Sequence, residues 1–157
     1  MKNKTLWLMV GISGSGKSTF AKEKLMEDET WAYISRDAIR MEWLEPGDDN
    51  FAKENLVFND FVAEINAAFE CNEFHNVIAD ATHVNERSRM KLLSKLDLKD
   101  IDVIPVCMRT PYMECRRRND LREGRARVPK SALGEMQKRF THPSTDAFQY
   151  TAIMDVF

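Results

Sequence analysis

Stretches of apolar residues alternate along this chain with segments in which apolar residues recur at helical spacing. The apolar stretches predict β-strands at Thr5–Val10, Trp31–Ser35, Asn76–Asp80 and Ile101–Met108, with a last strand near Ala152–Phe157. Most of these stretches are apolar throughout, which is typical of parallel strands buried on both faces. We therefore expect an α/β fold in which a parallel sheet is flanked by helices on both faces.

The segments between the strands predict helices. One of them carries apolar residues at helical spacing, which places these residues on a single core-facing surface. They are Phe51, Phe58, Phe61, Ile65 and Phe69. A later helix is predicted from Pro129 to about Arg139, because proline is favoured in the first turn of a helix. Residues 140–150 are predicted to be mostly irregular.

A helix is predicted at Thr19–Glu27, after the first strand. The loop between the two elements carries glycine and lysine at a defined spacing. From position 11 to 18 it is Gly-Ile-Ser-Gly-Ser-Gly-Lys-Ser, which fits the pattern G-x-x-x-x-G-K-S. The glycines let the backbone curl, so that successive N–H groups and the positive helix end point at phosphate oxygens. We therefore predict a nucleoside triphosphate site. Its predicted contacts are Gly11, Ser13, Gly14, Ser15, Gly16, Lys17, Ser18 and Thr19.

Three residues have predicted roles around the triphosphate. Lys17 is placed to reach the β- and γ-phosphates, and the hydroxyl of Ser18 falls where a bridging Mg²⁺ would sit. Asp80 ends an apolar strand, as in a Walker B element, and is predicted to hold the same Mg²⁺ directly or through its water shell. ATP and Mg²⁺ are the expected cofactors.

Acidic, basic and polar residues follow the second and third predicted strands. Asp37 and Arg40 are three positions apart and lie close together on one helix face. The carboxylate can accept the proton of an attacking hydroxyl, while the guanidinium grips an adjacent acceptor phosphate. The alternative is that Asp37 caps the helix and Arg40 is a surface residue. Thr82 and His83 are candidate acceptor contacts, although a loop histidine often has no catalytic task.

Arginine is concentrated in one segment of the chain. Residues 109–130 hold eight basic and three acidic residues, although the formal net charge of the whole chain is −2. Phosphoryl transfer spreads negative charge over the moving group, so an arginine that closes over it stabilises the transition state. We predict a mobile lid in which Arg118, Arg122 and Arg125 contact the donor phosphates. Their spacing does not decide which of them enters the site.

Length and composition narrow the classes of protein. With 157 residues, 43% of them hydrophobic, a single domain spanning residues 1–157 is expected. No apolar stretch approaches the length of a membrane helix, and a cytoplasmic location with no membrane partner is expected. The three cysteines, Cys71, Cys107 and Cys115, lack metal-type spacing in the sequence, and we interpret them as reduced thiols.

Four segments together resemble the kinase domain of phage-type 5′-polynucleotide kinases. They are Gly-Ile-Ser-Gly-Ser-Gly-Lys-Ser-Thr, Ser-Arg-Asp-Ala-Ile-Arg, Val-Ile-Ala-Asp-Ala-Thr-His, and Arg-Asn-Asp-Leu-Arg followed by Val-Pro. The resemblance implies that Asp37 is the general base toward a 5′-hydroxyl and that Arg40 binds the neighbouring acceptor phosphate. It also implies that Arg122 is the catalytic lid arginine, that Asp80 is the Walker B acid and that Val128 packs on the acceptor nucleotide.

The chain departs from the family pattern in two places. The lid has one extra residue between Arg122 and Val128, so that Arg125 could replace Arg122 at the phosphates. The common Asp-x-Thr-Asn of the family is Asp80-Ala81-Thr82-His83 here. Bifunctional members of the family also carry a C-terminal 3′-phosphatase domain, whereas this chain stops at Phe157, so a second catalytic domain and phosphatase activity are expected to be absent.

These observations favour transfer of the γ-phosphate of ATP to the 5′-hydroxyl ends of DNA or RNA. A kinase that acts on a small metabolite or a nucleotide hydroxyl is the main alternative, because related enzymes share the same phosphate-binding elements. A nucleotide-switch ATPase is a third possibility, although it would not need the pairing of Asp37 with Arg40.

Overall fold

The computed structural model of the protein describes residues 3–157, which are built around a five-stranded sheet. The strands are β1 (Lys4–Val10), β2 (Trp31–Ser35), β3 (Asn76–Asp80), β4 (Ile101–Met108) and β5 (Met154–Val156). Their order across the sheet is β2-β3-β1-β4-β5, and every neighbouring pair is parallel. Because the strands are parallel, all their carboxyl ends lie at one edge of the sheet.

Helices connect the strands and cover the sheet. They are α1 (Lys17–Leu25), α2 (Arg36–Trp43), α3 (Glu54–Glu70), α4 (Glu86–Leu93), α5 (Tyr112–Asp120) and α6 (Lys130–Arg139). A short 3₁₀-helix, Gly124–Ala126, lies between α5 and α6. Within residues 3–157, no helix combines the length and the apolar character that a bilayer crossing requires.

The core has a layer on each face of the sheet. On one face, Leu6 and Leu8 of β1 are fully buried in the same apolar cluster as Phe61 and Ile65 of α3. On the other face, Met9 of β1 packs in a cluster that includes α1. Successive side chains of a strand point to opposite faces, and here both faces meet helices. The predicted α/β fold with helices on both faces is therefore confirmed.

The element boundaries follow the prediction closely. The strands β2, β3 and β4 have the predicted ends, and β1 begins one residue earlier, at Lys4. The last strand is shorter than predicted, since β5 pairs with β4 alone and only over Met154–Val156. Helix α1 begins at Lys17 rather than Thr19, because Gly16 adopts a left-handed backbone with φ of 98° and lets the helix start directly after it.

Phe51 does not belong to the helix face on which the sequence pattern placed it. Helix α3 begins at Glu54, three residues later, and the side chain of Phe51 is 55% exposed. The other four residues of that pattern are buried on α3. The interpretation of Phe51 as a core residue is therefore wrong.

Candidate active site

A cavity of about 900 Å³ lies at the carboxyl edge of the sheet, within the size range of small-molecule sites. Its walls come from the loop after β1, the start of α2, the residues before α3, the end of β3 and the segment between α5 and α6. Gly11 is the one predicted site residue that does not line it. The ends of β4 and β5 also border it, so the fold brings residues from several separate segments to one place.

The loop after β1 owes its shape to glycines and to its neighbours. Gly14 has a φ of 82°, and a Cβ atom there would come within 2.7 Å of the backbone oxygen of Cys115 on α5. The N–H of Gly11 donates to the backbone oxygen of Thr82 at 2.9 Å, which ties the loop to the end of β3. The hydroxyl of Thr110 donates to the backbone oxygen of Ser15 at 2.7 Å. Helix α5 and strands β3 and β4 therefore hold the loop from outside.

Lys17 is folded back over this loop. Its Nζ donates to the backbone oxygens of Gly11 at 2.9 Å and Ile12 at 3.0 Å. Since an ammonium group carries three N–H donors, one remains for a phosphate oxygen. Burial lowers the pKa of Lys17, and the charges of Asp80 and Asp37 oppose that shift. The negative charges of these two carboxylates thus favour the protonated form of the Lys17 ammonium.

Ser18 and Asp80 face each other beneath the loop. The hydroxyl of Ser18 donates to the Oδ2 atom of Asp80 at 3.4 Å, and the hydroxyl of Tyr33 donates to the same oxygen. Burial raises the pKa of Asp80. Burial and the contact with Asp80 also raise the pKa of Tyr33 to about 12, so that the phenol keeps its proton and stays a donor.

The oxygen atoms of Ser18 and Asp80 fit the ligand preference of Mg²⁺. This hard cation takes hydroxyl, carboxylate and water oxygens, and a buried carboxylate gains most from a nearby positive charge. Bound there, Mg²⁺ would neutralise charge on the β- and γ-phosphates. No sequence motif marks Tyr33 as a partner of Asp80, because only the pairing register of β2 on β3 brings the two side chains together.

The other side of the cavity begins at the N-terminus of α2. The N–H of Ala38 donates to the Oγ atom of Ser35 at 3.2 Å, so Ser35 caps this helix. Asp37 does not cap it, and its side chain is 83% exposed at the cavity. The same carboxylate accepts a hydrogen bond from Arg40. Asp37 is therefore accessible to a substrate hydroxyl.

Glu54 clamps the guanidinium of Arg40. The Nε and Nη2 atoms of Arg40 donate to the two carboxylate oxygens of Glu54 at 2.8 Å and 2.7 Å. Arg36 also donates to Glu54, at 3.2 Å. Burial opposes ionisation of Glu54, but the hydrogen bonds and charges of Arg40 and Arg36 outweigh it and lower the pKa of Glu54. Glu54 thus fixes the orientation of Arg40 as a charged partner.

Arg40 still has donors to offer. Glu54 and Asp37 engage three of the five N–H groups of its guanidinium, which leaves two for an acceptor. The side chain of Arg40 is only 13% exposed, so an added phosphate would be recognised in a largely dry setting. The exposed ring of Phe51 lies 5.5 Å from the guanidinium carbon and lines the same cavity.

The three lid arginines occupy different places. Arg118 donates to the backbone oxygen of Gly14 at 3.1 Å, beside the phosphate loop. Arg122 lines the same cavity as Lys17, and its positive charge contributes, after burial, to the lowered pKa of Lys17. Arg125 instead crosses the cavity and donates to the Oδ1 atom of Asn50 at 2.6 Å and to the backbone oxygen of Glu45 at 3.1 Å.

Val128 is held by a reciprocal pair of hydrogen bonds. The side-chain amide of Asn119 donates to the backbone oxygen of Val128 at 2.7 Å, and its Oδ1 atom accepts from the N–H of Val128 at 2.9 Å. Asn119 is 1% exposed at the end of α5. These two hydrogen bonds therefore fix the backbone of Val128, which lines the cavity and follows Arg122 and Arg125 in the chain.

The contacts of the His83 ring are with residues in the interior of the protein. It borders the cavity but is only 4% exposed, and its Nδ1 atom lies 2.8 Å from the backbone oxygen of Met9. Its ring stacks on Phe61 with centroids 6.1 Å apart. Burial lowers the pKa of His83 to about 3, so the ring is neutral. The acceptor contact predicted for His83 stays a prediction, since the ring lines the cavity with a buried Nε2 atom that has no hydrogen-bond partner among residues 3–157.

We expect His83 to make the stability of the fold depend on pH. Burial depresses the pKa of His83 in the folded protein. The contribution of His83 to the free energy of unfolding is therefore full above its unfolded pKa near 6.5, and it is lost as the pH falls toward the folded pKa of about 3. From about pH 8 to about pH 5, this group alone should cost about 2 kcal/mol of unfolding free energy. Chemical denaturation of the wild type and of His83→Asn across this range measures the effect.

The variant His83→Asn should show a shallower dependence, since asparagine does not titrate and tolerates the backbone φ of 43° at this position. The exposed His75 provides the matched control, and His75→Gln should keep the wild-type slope. Identical slopes for the wild type and His83→Asn would contradict the assignment of a neutral buried ring.

Comparisons with known proteins agree with this geometry at the level of fold and family. A model of the AAA domain family AAA_33 matches residues 6–143, which contain the phosphate loop, Asp37, Asp80 and the lid arginines. A search of curated protein sequences finds no match.

Several solved structures share the fold. A chain of the Pnkp1/Rnl/Hen1 RNA repair complex is 26% identical with a TM-score of 0.72, and the match covers 88% of this chain and 44% of that one. A fungal RNA kinase is 14% identical with a TM-score of 0.70, covering 100% of this chain and 39% of that one. A gluconokinase from Sinorhizobium meliloti is 18% identical with a TM-score of 0.57, covering 99% of this chain and 82% of that one.

The chain therefore spans less than half the length of the two RNA-related proteins that it matches. The gluconokinase has nearly the same extent as this chain, but at 18% identity it shows the fold alone. The family match covers most of the chain, and the five-stranded parallel sheet flanked by helices is that of a P-loop kinase-like fold. The protein thus belongs to the AAA_33 family of AAA domains.

Proposed function

We propose that this protein is an ATP-dependent polynucleotide 5′-hydroxyl kinase, which transfers the γ-phosphate of ATP to the 5′-hydroxyl end of DNA or RNA. The observation that carries the proposal is the pair Asp37 and Arg40 in the same cavity as Lys17. One partner is an exposed carboxylate, and the other is a guanidinium held by Glu54. A base and an anion site side by side suit a hydroxyl that has a phosphate next to it.

On the donor side, the loop N–H groups and Lys17 bind the β- and γ-phosphates of ATP. Ser18 and Asp80 would hold Mg²⁺, which would supply positive charge to offset that of the phosphates. Arg122 lines the cavity with Lys17, while Arg118 is bonded to Gly14 and Arg125 to Asn50 and Glu45, so we assign to Arg122 the stabilisation of charge on the transferred group. Arg118 supports the loop from its backbone side through Gly14.

On the acceptor side, the Asp37 carboxylate takes the proton of the 5′-hydroxyl as the hydroxyl oxygen attacks the γ-phosphorus. The bond from that phosphorus to the bridging oxygen of ADP breaks, and the proton stays on Asp37 until it passes to water. Arg40 fixes the acceptor by its phosphate, which positions the hydroxyl for attack. Phe51 and Val128 line the cavity where the acceptor base would lie.

The variant Arg40→Ala should lose activity selectively. A charge-assisted pair is worth about 2–3 kcal/mol, so kcat/KM for an acceptor with a phosphate next to the hydroxyl should fall roughly 30- to 150-fold, mainly through KM. Slow hydrolysis of ATP by water should hardly change, because water has no phosphate for Arg40 to bind. Initial rates with a 5′-hydroxyl oligonucleotide and with water measure both effects.

A matched control is Arg117→Ala, which removes the same charge from a side chain that is 62% exposed and does not line the cavity. This control should retain wild-type kinetics. An equal loss of oligonucleotide phosphorylation and of ATP hydrolysis in Arg40→Ala would remove the assignment of Arg40 to the acceptor.

A kinase for a small hydroxylated metabolite is the second candidate. The shared fold is compatible with it, since the gluconokinase match extends over 82% of that protein, whereas the RNA repair match extends over 44%. The Arg40 guanidinium held by Glu54 argues against an uncharged sugar as the acceptor, since a neutral hydroxyl offers no charge to a guanidinium. The acceptor preference of the wild-type protein separates the two candidates.

A further inference from the structure

A thiol, an imidazole and a carboxylate meet at the β4–β5 edge of the sheet, outside the cavity described above. They belong to Cys107, His142 and Asp155, and one ligand atom from each lies within 4.8 Å of the others. None of the three lines the cavity. Cys107 is buried, whereas the side chains of His142 and Asp155 are 39% and 34% exposed. The cluster is thus reachable from solvent on one side.

The sheet register creates this cluster. Cys107 and Asp155 are direct partners across the parallel strands β4 and β5, so their side chains point to the same face. His142 reaches them from the irregular segment that follows α6. Ligands that come from three distant parts of the chain have no spacing that a sequence pattern could reveal.

The hydrogen bonds of His142 are the second observation. Its Nδ1 atom lies 2.9 Å from the backbone oxygen of Pro143, and its Nε2 atom lies 2.8 Å from the Oδ1 atom of Asp155. A carbonyl oxygen only accepts, so Nδ1 carries the hydrogen and, in the neutral ring, Nε2 presents a lone pair to the carboxylate. Nε2 and Oδ1 are therefore neighbouring ligand atoms close to the thiol of Cys107, and an ion that bound both would replace the hydrogen bond between them.

We propose that Cys107, His142 and Asp155 form a binding site for a borderline-soft divalent cation of the Zn²⁺ class. Thiolate sulfur, imidazole nitrogen and carboxylate oxygen are the three ligand types of Zn²⁺, with water completing the tetrahedron. An imidazole whose other nitrogen donates to a backbone carbonyl has the orientation common to metal-binding histidines. Binding releases the thiol proton of Cys107 to water, so the two anionic ligands balance the charge of the ion.

The same site should reject Mg²⁺, which prefers oxygen ligands and octahedral geometry. It is therefore chemically distinct from Ser18 and Asp80. Arg109 competes for Asp155, with its Nη1 atom 3.4 Å from Oδ1, but this side chain is 40% exposed and can turn toward solvent. Occupancy would join the three-residue strand β5 to β4 and to the segment after α6, and it should stabilise the folded state.

Co²⁺ is the probe for the decisive experiment, because its visible absorption reports ligand type and geometry. Reduced wild-type protein, held in excess Mg²⁺, should bind one Co²⁺ with tetrahedral visible bands and a thiolate charge-transfer band. Zn²⁺ should displace it and raise the Tm. Cys107→Ser should lose the thiolate band. His142→Gln and Asp155→Asn should weaken Co²⁺ binding at least about tenfold, since even supporting partners of metal ligands contribute that much.

Cys71→Ser and His75→Gln change a thiol and an imidazole elsewhere and should bind Co²⁺ like the wild type. His142→Gln and Asp155→Asn alter partly exposed side chains, so the test survives if Cys107→Ser misfolds. The proposal is overturned by the absence of one-to-one Co²⁺ binding. It is equally overturned by a thiolate band that persists in Cys107→Ser, or by unchanged Co²⁺ affinity in both His142→Gln and Asp155→Asn.

Discussion

Asp37→Asn should slow phosphorylation of a 5′-hydroxyl oligonucleotide by about 10²- to 10⁴-fold while ATP binding stays nearly unchanged. The carboxamide keeps the shape of the side chain but cannot take a proton, and a general base contributes a factor of this size. Asp37 is exposed and does not cap α2, because Ser35 does, so the helix should keep its start. Single-turnover rates and a nucleotide-binding titration separate the chemical step from ATP affinity.

Asp97→Asn is a suitable control, since it makes the same change at an exposed carboxylate that does not line the cavity. It should leave both measurements unaltered. If Asp37→Asn instead lost ATP affinity and kept its rate of transfer, Asp37 would belong to the donor side and the proposed division of the cavity would be wrong.

Lys17→Ala should reduce phosphoryl transfer at least about 10²-fold, as expected for loss of one fixed charge that stabilises the transition state. The fold should survive, because within residues 3–157 the ammonium of Lys17 donates hydrogen bonds only to the backbone oxygens of Gly11 and Ile12. Lys22→Ala removes an exposed lysine from the same helix and should retain full activity. Near-normal turnover in a folded Lys17→Ala variant would contradict the role of the phosphate loop.

The strands of this fold could be predicted from sequence because burial on both faces leaves continuous apolar stretches. The interiors of β3 and β4 are apolar almost throughout, and their observed ends match the predicted ones. The phosphate loop was equally accessible, since its chemistry requires glycine and lysine at a fixed spacing within one segment. The prediction for Phe51 is wrong because the helical spacing of apolar residues extends to a position three residues before α3 begins at Glu54.

Residues that act through distant partners could not be predicted. Glu54 holds Arg40 from 14 positions away, and Tyr33 meets Asp80 across the register of β2 on β3. Neither residue belongs to a sequence motif. Holding Arg40 requires only a carboxylate at the right position in the folded protein, and contacting Asp80 requires only a phenol. The structure also separates Arg122 from Arg125, which sequence spacing left equivalent: Arg125 is bound to Asn50 and Glu45.

Cys107 illustrates the same limit. The sequence indicated a reduced thiol, because the three cysteines of the chain lack metal-type spacing. Strand pairing brings Asp155 beside it, and the segment after α6 adds His142. Sequence spacing reveals ligand sets that lie within one loop or helix, whereas a set assembled across a sheet appears only in three dimensions.

The acceptor preference of the wild-type protein tests the central claim most directly. With ATP and Mg²⁺ fixed, initial rates of γ-phosphate transfer would be compared for a 5′-hydroxyl oligonucleotide, a nucleoside 3′-monophosphate, the unphosphorylated nucleoside, gluconate and water. The arrangement of Asp37, Arg40 and Glu54 predicts that the oligonucleotide and the 3′-monophosphate are phosphorylated much faster than the other three. Equal rates with phosphorylated and unphosphorylated nucleosides, or a preference for gluconate, would contradict a polynucleotide kinase.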